Sequence, residues 1–225
     1  MTGPDAIPQR ATPRVAVVGL YNSGSSAVAG MLHRLGVSMG PPFWNSSREL
    51  DPDNHYESYD LAWHMRQWWA EPRLIESAPV ARRRAYLRKW VELQETLTEG
   101  AVGAKHPLLA MCLDDLSDAW GESLHLVRIW RPLPDSIAGL ARRRWFPGFE
   151  EALQQRIHSR MEMQLEESPA RLLTLKWDEF RAEPVRHAAL LCGFLGIDRS
   201  REQLEFAARI VGGLAPGSRA MNRAQ

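Results

Sequence analysis

The stretch from residue 19 to residue 26 reads GLYNSGSS and follows the apolar run Val15 to Val18. With Gly19 as its first glycine, it fits the frame of a phosphate-binding loop between a strand and a helix. Ser25, however, stands where a nucleoside triphosphatase would place its lysine. Free backbone N–H groups and serine hydroxyls would still bind an anion at such a turn. The same residues also fit an ordinary turn in which serine caps the helix.

The strands and helices on either side of this loop are predicted from the apolar residues of the sequence, which occur either in short continuous runs or at helical spacing. A buried strand at residues 14–20 precedes the loop, and a helix follows it from Ser25 or Ser26 to Gly36. Further strands are predicted at residues 101–105, 123–130 and 171–176. Helices are predicted around residues 61–69, 80–99, 108–119, 135–145, 149–167, 184–195 and 200–210. Strands that alternate with helices predict an α/β fold in three layers, α/β/α, with a central parallel sheet.

The composition favours a single soluble domain. The chain has 225 residues, of which 28 are basic and 27 acidic, so no net field recruits nucleic acid or an anionic membrane. Only two cysteines occur and no apolar stretch is long enough to span a membrane, which predicts a cytoplasmic protein. Residues 1–13 predict a flexible N-terminal tail, and residues 14–225 predict one domain. The charged run Arg82 to Arg84 is predicted to face solvent.

Five stretches, in order, resemble segments of sulfotransferases of the cytoplasmic and bacterial type. VVGLYNSGSSAVAGMLHRLGVSMG resembles the family's phosphosulfate loop and first helix, and LHLVRIWRPLPDSIAGLARR resembles its 3′-phosphate signature. DPDNHYESYDL and GAKHPLLAMCLDDL resemble two intermediate stretches, and LLTLKWDEFRAEPVRHAALLCGFLGI resembles the late strand and helix. Together these segments cover most of residues 14 to 197. The resemblance implies a P-loop-like fold.

The resemblance also implies an enzyme that transfers a sulfuryl group from 3′-phosphoadenosine 5′-phosphosulfate (PAPS) to a hydroxyl or amine. The acceptor would be a small molecule or a carbohydrate. Such a donor explains the missing lysine, because there is no triphosphate to bind and no metal ion to share. A kinase would need an Asp at the end of a neighbouring strand, where this chain has Arg131. A P-loop kinase acting on a small molecule is therefore the weaker alternative.

In the resemblance, the donor's 5′ end is held by the loop residues Tyr21, Asn22, Ser23, Gly24, Ser25 and Ser26. Tyr21 replaces the family's proline, and Asn22 replaces the Lys or Arg that stabilises the leaving phosphate. We expect Lys105 to supply the missing cation. Without a substitute cation the chain would be a non-catalytic relative that binds 3′,5′-bisphosphoadenosine (PAP), which is the second alternative.

The 3′-phosphate signature aligns in two registers. Arg131 ends its strand, where ligands of parallel sheets gather, but this register puts Gly139 at the family's serine position. Ser136, one helical turn earlier, would then supply the hydroxyl. The other register uses Arg128 and places Ser136 at the expected interval of eight residues. We prefer the first register and expect Arg131 and Ser136 to bind the 3′-phosphate.

Three residues are candidates for the chemistry of transfer. His106 could deprotonate an acceptor hydroxyl, while Lys105 stabilises the charge on the sulfuryl oxygens. Glu57, in the stretch NHYESYDL, is the rival base.

Aromatic residues concentrate around the second predicted helix: Phe43, Trp44, Trp63, Trp68 and Trp69. They could line an acceptor pocket, because indole rings offer broad apolar faces. Trp68 and Trp69 equally fit the core face of an amphipathic helix.

Overall fold

A computed structural model of the chain describes residues 12–44 and 54–212. Its strands and α-helices, in chain order, are β1 (Arg14–Val18), α1 (Ser25–Arg34), α2 (Tyr59–Trp68), α3 (Val80–Leu97), β2 (Val102–Lys105), α4 (Leu113–Trp120), β3 (Leu124–Trp130), α5 (Leu133–Arg143), α6 (Glu150–Glu167), β4 (Arg171–Lys176), α7 (Trp177–Ala182), α8 (Pro184–Leu195) and α9 (Arg201–Gly212). Short 3-10 helices lie at Pro107–Met111 and Gly121–Ser123. The predicted tail at residues 1–13 lies outside the described residues, except for its last two positions. None of the helices in the described ranges is long and apolar enough to cross a membrane.

The described strands form one sheet in the order β2, β1, β3, β4, and every neighbouring pair is parallel. β1 lies in its interior, where Ala16 pairs with Ala104 of β2 on one side and with Leu126 of β3 on the other. Parallel neighbours need crossover connections, which the helices between the strands provide. The predicted α/β class with a central parallel sheet is confirmed.

Side chains of β1 alternate between two buried layers, because successive residues of a strand point to opposite faces. Ala16 and Val18 pack into the core beneath α2, α3, α4 and α6. Val15 and Val17 pack into the core beneath α1, α8 and α9. All four side chains are fully buried, as expected of a strand covered on both faces. The molecule therefore has the predicted three-layer α/β/α arrangement.

Two elements differ from the sequence-based expectation. The helix predicted at residues 108–119 is divided into a 3-10 helix and α4, because the backbone at Cys112 leaves the helical region. Helix α7 corresponds to no predicted element. It spans six residues and buries only Phe180, so its sequence carries no helical period.

The prediction that Arg82 to Arg84 face solvent is wrong for Arg83, which is buried. Arg83 lies one helical turn before Leu87 on the buried face of α3, so its side chain points to the core. Arg83 Nε donates to Asp115 Oδ2 of α4 at 2.7 Å, and its Nη1 donates to Glu76 and to the Ala78 carbonyl. These partners compensate the buried charge.

Four segments leave the sheet at one edge, because the carboxyl ends of parallel strands lie together. Gly19 follows β1, His106 follows β2, Arg131 follows β3 and Trp177 follows β4. This edge therefore collects residues that are far apart in the sequence.

Replacing Asp115 by alanine should lower the free energy of unfolding by about 3–5 kcal/mol, because the Arg83 charge then stays buried without its closest core partner. Chemical denaturation of the two proteins measures the difference. Glu205→Ala removes the partner of the exposed Arg201 and is the matched control, for which we expect no measurable change. A loss for Asp115→Ala no larger than that of the control would contradict the importance of this pair.

Candidate functional site

The loop between β1 and α1 presents hydrogen-bond donors at one point. Gly24, at the N-cap of α1, has a φ of 100°, a left-handed conformation that favours glycine. Within the described residues, the N–H groups of Gly24, Ser25 and Ser26 donate to no backbone carbonyl. The Ser23 hydroxyl is buried and likewise has no partner there. Together with the positive end of the α1 dipole, these donors form a cradle for an anion.

Lys105 brings a cation to this loop from the neighbouring strand. It is the last residue of β2, and its side chain is only 4% exposed. Its Nζ donates to Ser26 Oγ at 3.2 Å and to Glu57 Oε1 at 2.5 Å. The carboxylate compensates the buried lysine charge. The structure thus gathers Lys105, Glu57 and Ser26 at the start of α1.

His106 lies on the other side of the Glu57 carboxylate. Its Nε2 is 3.9 Å from Glu57 Oε2, and its Nδ1 accepts a hydrogen bond from the Leu108 N–H at 3.1 Å. The neutral ring therefore carries its proton on Nε2. Burial lowers the pKa of His106 to about 4, against the opposing effect of Glu57. Burial by itself would raise the pKa of Glu57, but Lys105 and His106 together lower it to about 2.

At neutral pH, Glu57 is accordingly ionised and His106 uncharged. The lone pair with which His106 could take a proton is engaged by the Leu108 N–H, and the Glu57 carboxylate is held by Lys105. Both residues adjoin the loop, but each is a weak general base in this arrangement.

Arg131, rather than Arg128, contacts the loop. Arg131 Nη1 donates to the carbonyl oxygen of Asn22 at 2.9 Å. Arg128 instead forms an ion pair with Glu162 of α6. Ser136 is fully buried in α5, and its hydroxyl has no partner among the described residues. That Arg131 and Ser136 bind a 3′-phosphate stays a prediction.

Asn22 packs against α5. Its φ of 60° is left-handed, a conformation that Asn tolerates better than most residues. The amide lies over Gly139 so closely that a Cβ at that position would overlap it. Arg143 Nε donates to Asn22 Oδ1 at 3.2 Å. The two departures from the family pattern, at positions 22 and 139, therefore fit each other.

Tyr21 is fixed at three points. Gln154 of α6 accepts a hydrogen bond from its backbone N–H at 3.2 Å and donates to its carbonyl oxygen at 2.7 Å. The phenol donates a hydrogen bond to the Glu71 carboxylate. The ring packs edge-on against Phe146, with 5.3 Å between the ring centroids. All three partners are distant in sequence, so no local pattern could have indicated them.

Trp177, the first residue of α7, is a further part of the site that no motif indicated. Its half-buried indole covers Gly24 so closely that a Cβ at position 24 would overlap the ring. The guanidinium carbons of Arg131 and Arg181 lie 6.0 Å and 5.7 Å from an indole ring centroid. The available signal was its place directly after a predicted strand, since ligand-binding residues follow the strands of parallel sheets.

The aromatic residues near α2 divide between core and surface. Trp68 and Trp69 belong to the core on one side of the sheet, and Phe43 belongs to the core on the other side. Trp44 stacks on a tyrosine of α2 with 4.9 Å between centroids, and Trp63 is exposed. Trp68 and Trp69 therefore belong to the hydrophobic core, which was one of their two predicted roles. A role of the other aromatic residues in acceptor binding stays a prediction.

Solved structures of sulfotransferase domains share this architecture, so the chain has a sulfotransferase fold. The sulfotransferase domain of the Synechococcus PCC 7002 olefin synthase matches with a TM-score of 0.54 and 16% identity, over 97% of this chain and 85% of that chain. The sulfotransferase domain of the curacin biosynthetic pathway matches with a TM-score of 0.53 and 12% identity, over 87% and 77%. Sulfotransferase STF9 from Mycobacterium avium matches with a TM-score of 0.59 and 10% identity, over 91% and 69%. No protein-family model and no curated protein matches the chain.

These likenesses confirm, at the level of the fold, the resemblance that the sequence motifs predict. Because the sequences are only 10–16% identical, these likenesses establish the fold and not the activity.

Gly139→Ala should lower the free energy of unfolding by about 1–3 kcal/mol, because the new methyl group overlaps the Asn22 amide. The double variant Gly139→Ala/Asn22→Gly should recover most of this loss, since the three nearest atoms all belong to the Asn22 side chain. Chemical denaturation of the single and double variants forms the test. Gly193→Ala, a helical glycine with open space around it, is the control and should not destabilise the protein. Purely additive losses would contradict the fit between the two positions.

Proposed function

We propose that this protein is a sulfotransferase that moves a sulfuryl group from PAPS to a hydroxyl or amine of a small-molecule or carbohydrate acceptor. The observation that carries the proposal is the position of Lys105. Its Nζ reaches Ser26 Oγ at 3.2 Å and so brings a cation to the loop, where Asn22 provides none. The sulfotransferase fold supports the same conclusion.

The residues around the loop fit the two phosphate ends of such a donor. Buried polar atoms normally have partners, so the hydroxyls of Ser23 and Ser136, which have none among the described residues, suit oxygens of a ligand. Ser23 and the N–H groups at the start of α1 would hold the 5′ end. Arg131 and Ser136 would hold the 3′-phosphate, for which a guanidinium is well suited. The Trp177 indole, which lies over Gly24 of the loop, would stack on the adenine ring.

The chain's own residues account for the central step of transfer. PAPS, when bound, supplies the sulfuryl group and a phosphate leaving group. Lys105 stabilises the negative charge that develops as the bond between sulfur and the bridging oxygen breaks. Glu57 fixes Nζ at 2.5 Å, and after the bond to Ser26 the ammonium keeps one N–H group for the donor.

The same residues argue against a kinase. Ser25 stands at the lysine position of triphosphate loops, and β3 is followed by Arg131 instead of a metal-binding Asp. That the reaction uses no metal stays a prediction, as does the cytoplasmic location.

Thermal-shift assays with PAP, AMP and magnesium-ATP test the donor class, because a ligand that binds only the folded protein raises its melting temperature. We expect PAP to give the largest shift. Arg131→Ala should weaken PAP binding about 10- to 100-fold, because it removes charged hydrogen bonds to the 3′-phosphate. Arg128→Ala is the matched control and should leave PAP affinity unchanged, since Arg128 pairs with Glu162.

Transfer of a radiolabelled sulfuryl group to a panel of phenols, amines and sugars then tests the enzyme. Tight PAP binding without any transfer would make the protein a nucleotide-binding relative. Tighter binding of magnesium-ATP than of PAP would favour the kinase. An effect of Arg128→Ala in place of Arg131→Ala would show that the other register of the 3′-phosphate signature is correct.

A further inference from the structure

We propose that Tyr21 is the residue that takes the proton of the acceptor hydroxyl, and that Glu71 positions Tyr21 and receives the phenol proton in turn. This inference rests on the proposed sulfotransferase function and concerns the acceptor side of the same site. It assigns a role to the phenol group of the loop tyrosine that stands at the family's proline position, in addition to the donor-binding role that the resemblance implies for the loop.

Tyr21 is buried and held in one fixed position in the loop. Both of its backbone polar groups are bound by Gln154, its ring packs edge-on against Phe146, and its phenol donates to the Glu71 carboxylate. It directly precedes Asn22, the position at which the family carries the cation for the leaving phosphate. The phenol oxygen keeps a lone pair while its hydrogen points at Glu71, so it can accept a hydrogen bond from an acceptor hydroxyl.

Glu71 follows α2, and the carboxylate oxygen that does not accept from Tyr21 contacts an arginine. Its Oε2 lies 3.2 Å from Arg66 Nε, and its side chain is 7% exposed. The Arg66 guanidinium packs over the ring of Trp44, with 4.7 Å between its carbon and the ring centroid. The carboxylate is therefore fixed between the phenol and a guanidinium, with one oxygen directed to each.

The other candidate bases are already engaged. Glu57 holds Lys105 at 2.5 Å, and the pKa of its carboxyl is about 2. His106 has its Nδ1 bound to the Leu108 N–H, and burial lowers its pKa to about 4. Neither group has both a free lone pair and enough basicity to take a hydroxyl proton at neutral pH.

The electrostatic surroundings make the Glu71 carboxylate a stronger base than an ordinary exposed glutamate. Burial raises the pKa of Glu71, an effect that the Tyr21 hydrogen bond and Arg66 oppose and that the charge of Glu57 reinforces. Burial, followed by Glu71 and Glu57, raises the pKa of Tyr21 well above its ordinary value, with Arg66 opposing. A free phenolate is thus disfavoured, so the two protons move together. Among the described residues, Arg66 of α2 and Glu57, which precedes α2, are the charged groups that act on both members of the pair.

The step balances without any further reactant. The acceptor oxygen forms a bond to sulfur, the bond between sulfur and the bridging oxygen breaks, and its electron pair stays with the phosphate. The acceptor proton moves to the Tyr21 oxygen while the Tyr21 proton moves to Glu71. Glu71 releases that proton to solvent before the next cycle.

The test measures transfer of a radiolabelled sulfuryl group from PAPS to phenol and to 4-nitrophenol by wild type, Tyr21→Phe and Glu71→Gln. With phenol, kcat should fall about 100-fold or more in both variants, while KM for PAPS changes little. With 4-nitrophenol, the fall in kcat should be smaller than with phenol. 4-Nitrophenol is a much stronger acid, so it needs less help from a base to lose its proton. Both substitutions keep the shape of the side chain, and melting temperatures verify folding.

A pH profile separates a proton-accepting role from a merely structural one. Because Glu71 must be ionised, wild-type kcat should fall as the pH drops through its raised pKa, at a higher pH than for an ordinary glutamate. Glu71→Gln should lose this acid limb. Tyr86→Phe removes an analogous phenol, which donates to Asp60 at 2.6 Å away from the loop, and should behave as wild type.

Wild-type transfer combined with full activity of both variants would overturn this inference and leave the proposed function intact. An equal loss with both phenols, or an unchanged acid limb in Glu71→Gln, would likewise overturn it. Failure of wild type to bind PAP or to transfer to any acceptor would instead overturn the proposed function, and this inference with it.

Discussion

A lysine ammonium buried at the end of β2 is the constraint on which the rest of the site depends. A charge can lie there only beside an opposite charge, and Glu57 provides it at 2.5 Å. Because Nζ also reaches Ser26, the pair sets a cation at the start of α1, where an anion is already favoured. Lys105 and His106 lower the pKa of Glu57 to about 2, while burial, opposed by Glu57, leaves His106 uncharged at neutral pH.

The unusual residues of the loop are each matched by a distant partner. Tyr21 is bound by Gln154 and Glu71, and Asn22 fits over Gly139, where any larger residue would collide with it. These contacts fix the loop between β1 and α1, and Lys105 of the neighbouring strand contacts Ser26 at its end.

Local patterns in the sequence predicted the fold well, because strands and helices are recorded in the spacing of apolar residues. The loop and the start of α1 at Ser25 followed from this spacing, and Lys105 followed from the resemblance. Gln154 and Glu71 could not be predicted, since packing brings them to Tyr21 from 133 and 50 residues away. Arg83 was predicted wrongly for a different reason. Its charge suggested a surface position, although its spacing from Leu87 puts it on the buried face of α3.

The most direct test of the account is a single-turnover measurement of sulfuryl transfer by Lys105→Met, made in a Glu57→Gln background so that no carboxylate is left unpaired. If Lys105 is the cation of the transfer step, the double variant should transfer about 100- to 1,000-fold more slowly than Glu57→Gln alone, and its PAP affinity should fall far less. Equal transfer rates in the two proteins would contradict the claim that Lys105 replaces the cation missing from the loop.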